Sequence, residues 1–314
     1  MSLHQVFDVL IESGIPLFEL SATIAGKPDF HFRLAQLESF PQGQVSWLPQ
    51  ADLPDGSHWI SCGGIGGLHL IRFAEIADFL VSVECREIVC YPQPEIPVET
   101  LRHLFLDQVL PRLLAGRDQI VLHAGGVVIG GEAVGFLGES GRGKSTLCVS
   151  LANLGNPLIT DDSLLLRRLE GRIVCIPSYP GVRLWPESVS ALFTEPAEVA
   201  PVAHYMNKYR LSADRNPFSF AAEPFPLRKI YLLEPLDDGA PSGEVSIAPL
   251  TASQVFKPLL DSAYRLDVHN RTGLTDEFNL LAGIAAGAPF SRLCYPRDFS
   301  LLPQIHRAIY SDLR

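Results

Sequence analysis

The chain has 314 residues, and its 35 Asp and Glu outnumber its 25 Lys and Arg, which gives a formal net charge of −10. This acidic balance argues against a protein that holds nucleic acid or an anionic membrane surface by electrostatics. Hydrophobic residues make up 47% of the chain, enough to bury the core of one large domain or of two ordinary ones. We therefore expect a globular protein with no nucleic-acid partner and no membrane partner.

The first residues and the cysteines predict a cytoplasmic protein. Residues 1–12 include Asp8 and Glu12 and lack the basic and apolar regions of an export signal. The longest uncharged stretches, 145–160 and 278–291, are shorter than the roughly 18 apolar residues that a membrane-spanning helix needs. The six cysteines show neither a CxxC motif nor the spacing of a zinc site, so we expect reduced thiols.

The N-terminal part is predicted to be a small α+β domain, residues 1–95. Residues 4–12 carry apolar side chains at helical spacing, which predicts a short helix that ends at Gly14. From residue 17 to about 91, short alternating runs separated by Gly and Pro clusters predict strands. This region is therefore expected to be mostly β.

A proline-rich linker, residues 92–97, is predicted to lead into a second domain, residues 96–314. Residues 98–114 carry apolar side chains at helical spacing and predict a helix. Two apolar runs, 120–128 and 133–137, then predict strands joined by a two-residue Gly-Gly turn.

The segment between the second of these strands and a predicted helix at 146–154 matches the phosphate-binding pattern GxxxxGK[ST]. Glycines let the backbone curl so that its N–H groups face phosphates, and the helix N-terminus adds positive potential. Lys144 supplies a mobile charge for the β- and γ-phosphates, and Ser145 supplies a hydroxyl ligand for Mg²⁺. The predicted nucleotide-binding residues are Gly138, Glu139, Ser140, Gly141, Arg142, Gly143, Lys144, Ser145 and Thr146.

Two adjacent carboxylates, Asp161 and Asp162, interrupt the next apolar run, residues 157–166. Neighbouring residues of a strand point to opposite faces, so the pair can share one site only where the strand ends or bends. One carboxylate would approach Mg²⁺, and the other could accept a proton from an attacking hydroxyl. A turn-initiating pair at a strand end is the structural alternative.

Together with His123, this arrangement resembles the catalytic domain of HPr serine kinase, in which a histidine precedes the phosphate loop and paired aspartates follow it. That family shares its nucleotide-binding core with phosphoenolpyruvate carboxykinase. The resemblance therefore implies an α/β fold with that core and a smaller, mostly β N-terminal region. It also implies that Asp161 is the general base toward a serine hydroxyl, that Asp162 assists the metal, and that His123 lies near the phosphates. A core histidine at a strand end is the alternative for His123.

Outside residues 120–190 the chain departs from the bacterial HPr kinases, whose Ile-Arg-Gly-Leu-Gly segment is missing. It is instead similar to the HPr kinase homologues of peptide-modification systems, among them lasso-peptide kinases that phosphorylate a C-terminal serine of a precursor peptide. The resemblance implies ATP and Mg²⁺ as cofactors and a peptide or small protein as the acceptor. The hexamer of the HPr kinases does not carry over, so the oligomeric state stays open. The segments that carry this second resemblance are 106–114, Leu122-His123-Ala124, the phosphate loop, Thr160-Asp161-Asp162 and Arg183-Leu184-Trp185-Pro186-Glu187.

Further charges are expected near a transferring phosphoryl group, because that group gathers negative charge. Arg183 and Arg210 are the predicted catalytic cations, Lys208 is a third candidate, and Glu187 is a candidate metal or orienting group. Surface salt bridging is the alternative for each of them. Lys208 and Arg210 lie in a stretch rich in Pro, Ala and polar residues, 195–225, whose composition suits a lid, a substrate loop or an irregular connection.

These residues favour an ATP-dependent kinase that transfers the γ-phosphoryl group to a serine hydroxyl of a peptide or protein, with the C-terminal serine of a lasso-type precursor as one candidate acceptor. Asp161 would be the base, Lys144 and the loop amides would hold the phosphates, and Mg²⁺ would lie among Ser145, Asp162 and Glu187. Two alternatives stay open: a kinase for a small molecule such as free serine, and a nucleotide-dependent regulatory module without catalysis. The intact acidic pair weighs against the module, since binding alone needs no base.

Overall fold

The structure is a computed structural model and describes residues 1–23, 25–48, 59–115, 119–234, 245–266 and 271–314. The predicted mixed α/β class is confirmed, with several sheets. None of the helices in these ranges has the length and hydropathy that crossing a membrane requires. The chain forms two compact units, the first of Met1–Asp118, Ala203–Met206 and Tyr264–Asp276, and the second of Gln119–Val202, Asn207–Ala263 and Glu277–Arg314.

The first unit is built mainly from strands. They are β1 (Ser2–Val6), β2 (Val9–Ser13), β3 (Ser21–Thr23), β4 (Phe30–Leu34), β5 (Ser46–Trp47), β6 (Ile60–Ile65), β7 (Leu68–Phe73), β8 (Ala77–Val81) and β9 (Glu87–Pro92), with a 3₁₀ turn at Leu37–Ser39. Over the described residues they form one sheet in the order β3-β1-β2-β4-β9-β8-β7-β6-β5. Buried aromatic rings pack in this unit, and Phe32 stacks on Phe105 with ring centroids 4.0 Å apart.

The helix predicted over residues 4–12 is wrong, because this stretch forms a β-hairpin. β1 and β2 pair antiparallel with Val6 opposite Val9, and Phe7 has a φ of 53° in the turn. Val6, Val9 and Ile11 are buried, so alternate positions of β2 face the core. β-branched side chains at such positions fit a half-buried strand. The sheet adds β3 beside β1 and β4 beside β2, and a local pattern does not reveal these further partners.

The helix predicted over residues 98–114 forms as three consecutive helical pieces: α1 (Val98–Leu104), a π-helical turn (Phe105–Val109) and α2 (Leu110–Ala115). The Leu110 N–H donates to the Phe105 carbonyl, which is the pattern of a π turn. The next residue, Pro111, has no N–H, and its ring would clash with the carbonyl four residues earlier in a regular helix. This helical segment is part of the first compact unit, whereas the predicted boundary at residue 95 would assign it to the second domain.

The remaining elements follow in chain order. The strands are β10 (Ile120–Ile129), β11 (Glu132–Leu137), β12 (Leu158–Thr160), β13 (Ser163–Leu169), β14 (Arg172–Ile176), β15 (Gly181–Leu184), β16 (Ala200–Ala203), β17 (Met206–Ser212), β18 (Phe225–Glu234), β19 (Ser246–Leu250) and β20 (Phe290–Cys294). The helices are α3 (Lys144–Ala152), α4 (Pro186–Leu192), α5 (Ala252–Ser262), α6 (Arg271–Gly287) and α7 (Leu302–Asp312), with a 3₁₀ turn at Phe299–Leu301.

β11 is the strand that leads into the phosphate loop. It pairs antiparallel with β10 and parallel with β18. β18 also pairs parallel with β20, so β11, β18 and β20 point the same way and end at the same edge of the sheet. β10 continues through β13 and β14 back to β18, which closes five strands into a ring of pairings. In α/β folds with open or closed parallel sheets, ligands bind at this carboxyl edge of the strands.

The two faces of β11 pack into different parts of the core. Ala133 and Leu137 belong to a buried cluster that includes residues of α5 and α6. Val134 and Phe136 belong to a second cluster that includes residues of α3 and α7. This alternation explains why the strand reads as a continuous apolar run, since a strand covered on both faces buries every side chain.

The stretch predicted as a lid, a substrate loop or an irregular connection contains two strands. β16 and β17 join β15 in a separate three-stranded sheet, in the order β15-β17-β16. Arg210 and Leu211 of β17 are buried, at 8% and 0% exposure. Residues 200–203 and 206–212 are therefore strands of a sheet and are not an irregular connection.

We predict that Gly125, in β10, does not tolerate a side chain. An added Cβ would lie 2.5 Å from the Sγ of Cys148 on α3, much closer than carbon and sulfur atoms pack. Gly125→Ala should therefore lower the free energy of unfolding by about 1–3 kcal/mol through overpacking, measured by urea denaturation.

The control is Gly287→Ala, because the nearest atom to a Cβ added there is 3.9 Å away. That variant should not be destabilised. In a protein that already carries Cys148→Ala, Gly125→Ala should lower the free energy of unfolding by less, since the clashing sulfur is absent. An equal cost in both backgrounds would contradict the steric explanation.

Candidate active site

The phosphate loop connects β11 to α3 and runs close to the neighbouring strand. Gly138 has a φ of +151°, and a Cβ added there would lie 2.9 Å from the Leu233 carbonyl oxygen of β18. The loop glycines Gly141 and Gly143 also have positive φ, at 82° and 90°. The GxxxxGK pattern therefore matches a backbone that requires glycine where the loop leaves the sheet and where it enters the helix.

α3 begins at Lys144 without a side-chain cap. Its N-cap residue is Gly143, which offers no side chain to accept the first amides of the helix. The early N–H groups of a helix have no partner within the helix, and together with the helix dipole they favour an anion. The start of α3 therefore suits a phosphate group.

Lys144 lies folded against its own loop. Its Nζ donates to the carbonyl oxygens of Gly138, at 2.7 Å, and of Glu139, at 3.1 Å. Burial lowers the pKa of this ammonium, the negative charge of Asp162 opposes that effect, and the positive charge of Lys208 adds to it. An anion bound nearby would relieve the cost of holding this charge away from water.

The acidic pair lies where the predicted strand breaks in two. β12 ends at Thr160 and β13 starts at Ser163, with Asp161 and Asp162 between them. The Thr160 hydroxyl oxygen accepts the N–H groups of Asp162, at 3.2 Å, and of Ser163, at 3.1 Å. This side-chain turn interrupts the strand, so both carboxylates can face one site.

Arg183, on β15, binds both carboxylates. Its backbone N–H donates to Asp161 Oδ2 at 2.8 Å, and its Nη2 lies 2.7 Å from Asp162 Oδ1. Its Nε is 3.8 Å from the same Asp161 oxygen. The side chains of Arg183 and Asp161 are 7% and 4% exposed, so their interaction is shielded from water.

Asp162 also faces His123 of β10, whose Nε2 lies 3.3 Å from Asp162 Oδ1. Burial would raise the pKa of Asp162, but Arg183 and His123 outweigh it and hold that pKa well below its usual range. Asp162 therefore remains ionised at neutral pH. The His123 side chain is 39% exposed, which differs from a histidine enclosed in the core.

These groups line one cavity of about 190 Å³ in the second unit. The predicted residues that line it are His123, Ser140, Gly141, Arg142, Gly143, Lys144, Ser145, Thr146, Asp161, Asp162, Arg183, Glu187 and Lys208. Gly138 and Glu139 are not among its lining residues, although their carbonyls hold Lys144. Most of the residues selected from the sequence are thus brought together.

Arg210 is not among the residues that line this cavity. It is directly opposite Arg183 in the β15–β17 pairing. Its Nη1 donates to the Tyr179 hydroxyl at 2.9 Å, and its guanidinium lies over the Tyr179 ring, 5.5 Å from the centroid. Its predicted role as a cation at the phosphoryl group stays a prediction.

The residues present fit a Mg²⁺ ion whose remaining ligands come from a bound phosphate. Within the described residues, no group of three or more His, Cys, Asp or Glu side chains could hold a metal ion by itself. Mg²⁺ is commonly held by one or two carboxylates together with substrate phosphates and water. The ionised Asp162, the Ser145 hydroxyl and Glu187 all line the cavity and suit that pattern, although Asp162 is already paired with Arg183.

Sequence reasoning missed the C-terminal side of the cavity. Tyr295, Arg297, Asp298 and Phe299 follow β20, and they line the cavity together with Leu302 and Ile305 of α7. No motif marks them. The signal that could have found them is topological, because β20 is parallel to β18 and β11 and the loops after β11 and β20 therefore leave the same edge of the sheet.

No model of a known protein family matches the chain, and no curated protein matches it. Among solved structures, it is similar to the HPr(Ser) kinase/phosphatase from Coxiella burnetii, at 16% sequence identity and a TM-score of 0.30. The match covers 62% of this chain and 96% of that chain. At this identity and TM-score the likeness carries no weight for fold or function, and a functional assignment rests on the side chains of the cavity.

We predict that Arg183→Met lowers the free energy of unfolding by about 3–5 kcal/mol at neutral pH, because it leaves two largely buried carboxylates without their shared cation. The ionised form of Asp162 stabilises the fold above the ordinary pKa of 3.8, and this contribution is lost as the pH falls toward the lower folded value. The difference between wild type and variant should therefore shrink below about pH 4. Urea unfolding of both proteins at pH values from 7 to 3 measures this difference in the free energy of unfolding.

Arg172→Met is the matched control, because Arg172 is an exposed arginine of β14. Its effect should stay within about 0.5 kcal/mol. The assigned ion pairs would be contradicted if Arg183→Met lowered the free energy of unfolding no more than Arg172→Met does, or if its effect did not change with pH.

Proposed function

We propose that this protein is an ATP-dependent kinase that transfers a γ-phosphoryl group to a serine hydroxyl of a peptide or protein. One observation carries the proposal: an uncapped helix N-terminus with Lys144 and a pair of carboxylates held by Arg183 line the same cavity. The first group suits a chain of phosphates, and the second suits the activation of an alcohol. A module that only binds a nucleotide would need the helix N-terminus and Lys144 but not the pair of carboxylates.

The phosphates of ATP would be bound by positively charged side chains and by backbone amides. The N–H groups at the start of α3 and the Lys144 ammonium would bind the β- and γ-phosphates. Lys144 would exchange its two carbonyl acceptors, on Gly138 and Glu139, for phosphate oxygens. Arg183 and Lys208 line the same cavity and would offset negative charge as the phosphoryl group moves.

The two carboxylates would take different roles because their surroundings differ. Asp162, whose pKa is held well below its usual range, is a weak proton acceptor and suits a permanent negative charge beside a metal. Asp161 would then be the base. It would take the proton of the serine hydroxyl while the serine oxygen bonds to the γ-phosphorus and the bond from that phosphorus to the bridging oxygen breaks, which releases ADP.

Mg²⁺, when bound with the nucleotide, would supply positive charge to the phosphate oxygens. Ser145, Asp162 and Glu187 are the residues proposed to hold it. His123 contacts Asp162 and would orient that carboxylate. The assignment of a peptide acceptor, including the C-terminal serine of a lasso-type precursor, draws on the resemblance of the motifs to peptide-modifying kinases.

Lys144→Ala should weaken binding of Mg²⁺ and ATP at least about tenfold, because it removes the ammonium group that would bind the β- and γ-phosphates. Isothermal titration calorimetry measures the affinity. Lys257→Ala is the control, since Lys257 is 80% exposed on α5 and lies away from the cavity. Unchanged ATP affinity in Lys144→Ala would remove the loop from the proposal.

Asp161→Asn should leave ATP affinity within a few-fold of wild type while it lowers turnover at least about a hundredfold, because an amide cannot take the proton. Product analysis by mass spectrometry with a peptide that ends in serine, a folded carrier protein and free serine, assayed in parallel, gives the rate and the acceptor. Asp261→Asn, at an exposed position of α5, is the control.

Each outcome of that assay is decisive. Phosphate on the peptide or on the carrier protein supports the proposal, and phosphate on free serine alone replaces it with a small-molecule kinase. Nucleotide binding without any product would favour a regulatory module. Undiminished turnover in Asp161→Asn would remove Asp161 as the base.

A further inference from the structure

We propose that residues 295–302 form the nucleoside subsite of this cavity and bind the base of the nucleotide. The inference rests on the proposed function, because it assigns the base of the same nucleotide whose phosphates the loop would hold. Nothing in the sequence motifs points to this segment. It is carried by the lining of the cavity, by the strand topology and by the hydrogen bonds that hold the segment in place.

Two chemically different groups of side chains line the cavity. One group is charged and contains His123, Asp161, Asp162 and Arg183, which contact one another. The other comes from the C-terminal segment, which brings two charged residues, Arg297 and Asp298, together with a larger apolar and aromatic group, Tyr295, Phe299, Leu302 and Ile305. A nucleoside triphosphate has the same division, since its phosphates are charged and its base is a flat ring with apolar faces.

The aromatic group borders the phosphate loop directly. The Tyr295 hydroxyl lies 3.5 Å from the Arg142 carbonyl oxygen, as its donor, and at the same distance from where a Cβ on Gly143 would lie. Burial raises the pKa of the Tyr295 phenol, so it stays neutral and keeps its proton. A ligand whose phosphates reach the start of α3 would therefore extend next to this segment.

α7 is tied to the helix that would receive the phosphates. Ser150 of α3 and His306 of α7 are buried and hydrogen-bonded, with Oγ and Nε2 2.9 Å apart. Burial lowers the pKa of His306, which favours its neutral form in this contact. This contact joins α7 to α3, and the first turn of α7, which begins at Leu302, lines the same cavity as the N-terminus of α3.

The turn before α7 is ordered by its own hydrogen bonds. Asp298 Oδ1 accepts the Ser300 N–H at 2.8 Å, and the Asp298 carbonyl accepts the Leu301 N–H at 3.1 Å. The Asp298 N–H donates to the Pro296 carbonyl at 2.8 Å. Phe299, which is 40% exposed and lines the cavity, thus lies in a turn that is hydrogen-bonded internally, and such pre-organisation lowers the entropic cost of binding.

Trp185 is the other large aromatic side chain of the cavity, and one face of its ring is already covered. Lys208 Nζ lies over that ring, 5.4 Å from its centroid, in a cation–π contact. A base stacked on that face of Trp185 would have to displace a charged group. Phe299 lies in no such contact among the described residues, which favours the C-terminal segment for the base.

The experiment compares Mg²⁺-ATP with Mg²⁺-tripolyphosphate, which has the phosphates but no base, by calorimetry on four proteins. Wild type should bind ATP more tightly than tripolyphosphate. Phe299→Ala should weaken ATP binding about tenfold and leave tripolyphosphate binding unchanged, because it removes a stacking surface and no charge. Phe299→Tyr should bind ATP like wild type, since it keeps the ring. Phe278→Ala, which removes a 53% exposed phenylalanine of α6, is the control.

The outcomes separate this inference from the proposed function. If wild type binds ATP and Phe299→Ala binds it equally well, or if wild type binds ATP no better than tripolyphosphate, the nucleoside subsite is overturned and the phosphate site stands. If wild type binds neither compound, the proposed function fails and the subsite fails with it. A loss of ATP affinity in Phe278→Ala equal to that in Phe299→Ala would also overturn the assignment.

Discussion

A single arginine that holds two neighbouring carboxylates is the interaction on which the rest of the site depends. Asp161 and Asp162 would repel each other in a poorly solvated cavity if no cation lay between them. Arg183 supplies a backbone N–H to one and a guanidinium to the other, which places β15 beside the break between β12 and β13. The Thr160 hydroxyl makes that break possible. The packing of β15 against the break and the pairing of opposite charges therefore place Asp161, Asp162 and Arg183 in the same arrangement.

The site also depends on how closely α3 approaches β10. Gly125 leaves room for Cys148, and Gly138 leaves room for the Leu233 carbonyl, so the phosphate loop lies directly against the sheet. This close packing brings the positive end of α3 next to the acidic pair, and opposite charges then face each other across a small cavity. In such surroundings, electrostatic interactions are stronger than in water. The cavity is therefore suited to stabilise the charge of a phosphoryl group during its transfer.

The sequence predicted the features that local patterns encode and missed those that topology creates. The β10–β11 hairpin, the loop before α3 and the polar break at Asp161 each follow from neighbouring residues and were found. The helical spacing of residues 4–12 is misleading, because the strands that flank this hairpin in the sheet, β3 and β4, come later in the chain. Residues 295–302 were missed because only the parallel order of β11, β18 and β20 brings them to the cavity. The engagement of Arg210 with Tyr179 likewise depends on packing that no spacing rule contains.

The most direct test of this account is a crystal structure with Mg²⁺ and a non-hydrolysable ATP analogue. We expect the β- and γ-phosphates within hydrogen-bond distance of the amides of residues 143–146, and we expect Lys144 Nζ to leave the carbonyls of Gly138 and Glu139 and bind phosphate oxygens. Asp161 should then lie beside the γ-phosphate, within reach of an incoming hydroxyl. An analogue bound elsewhere on the protein, or a saturated crystal in which Lys144 still donates to those two carbonyls, would contradict the account.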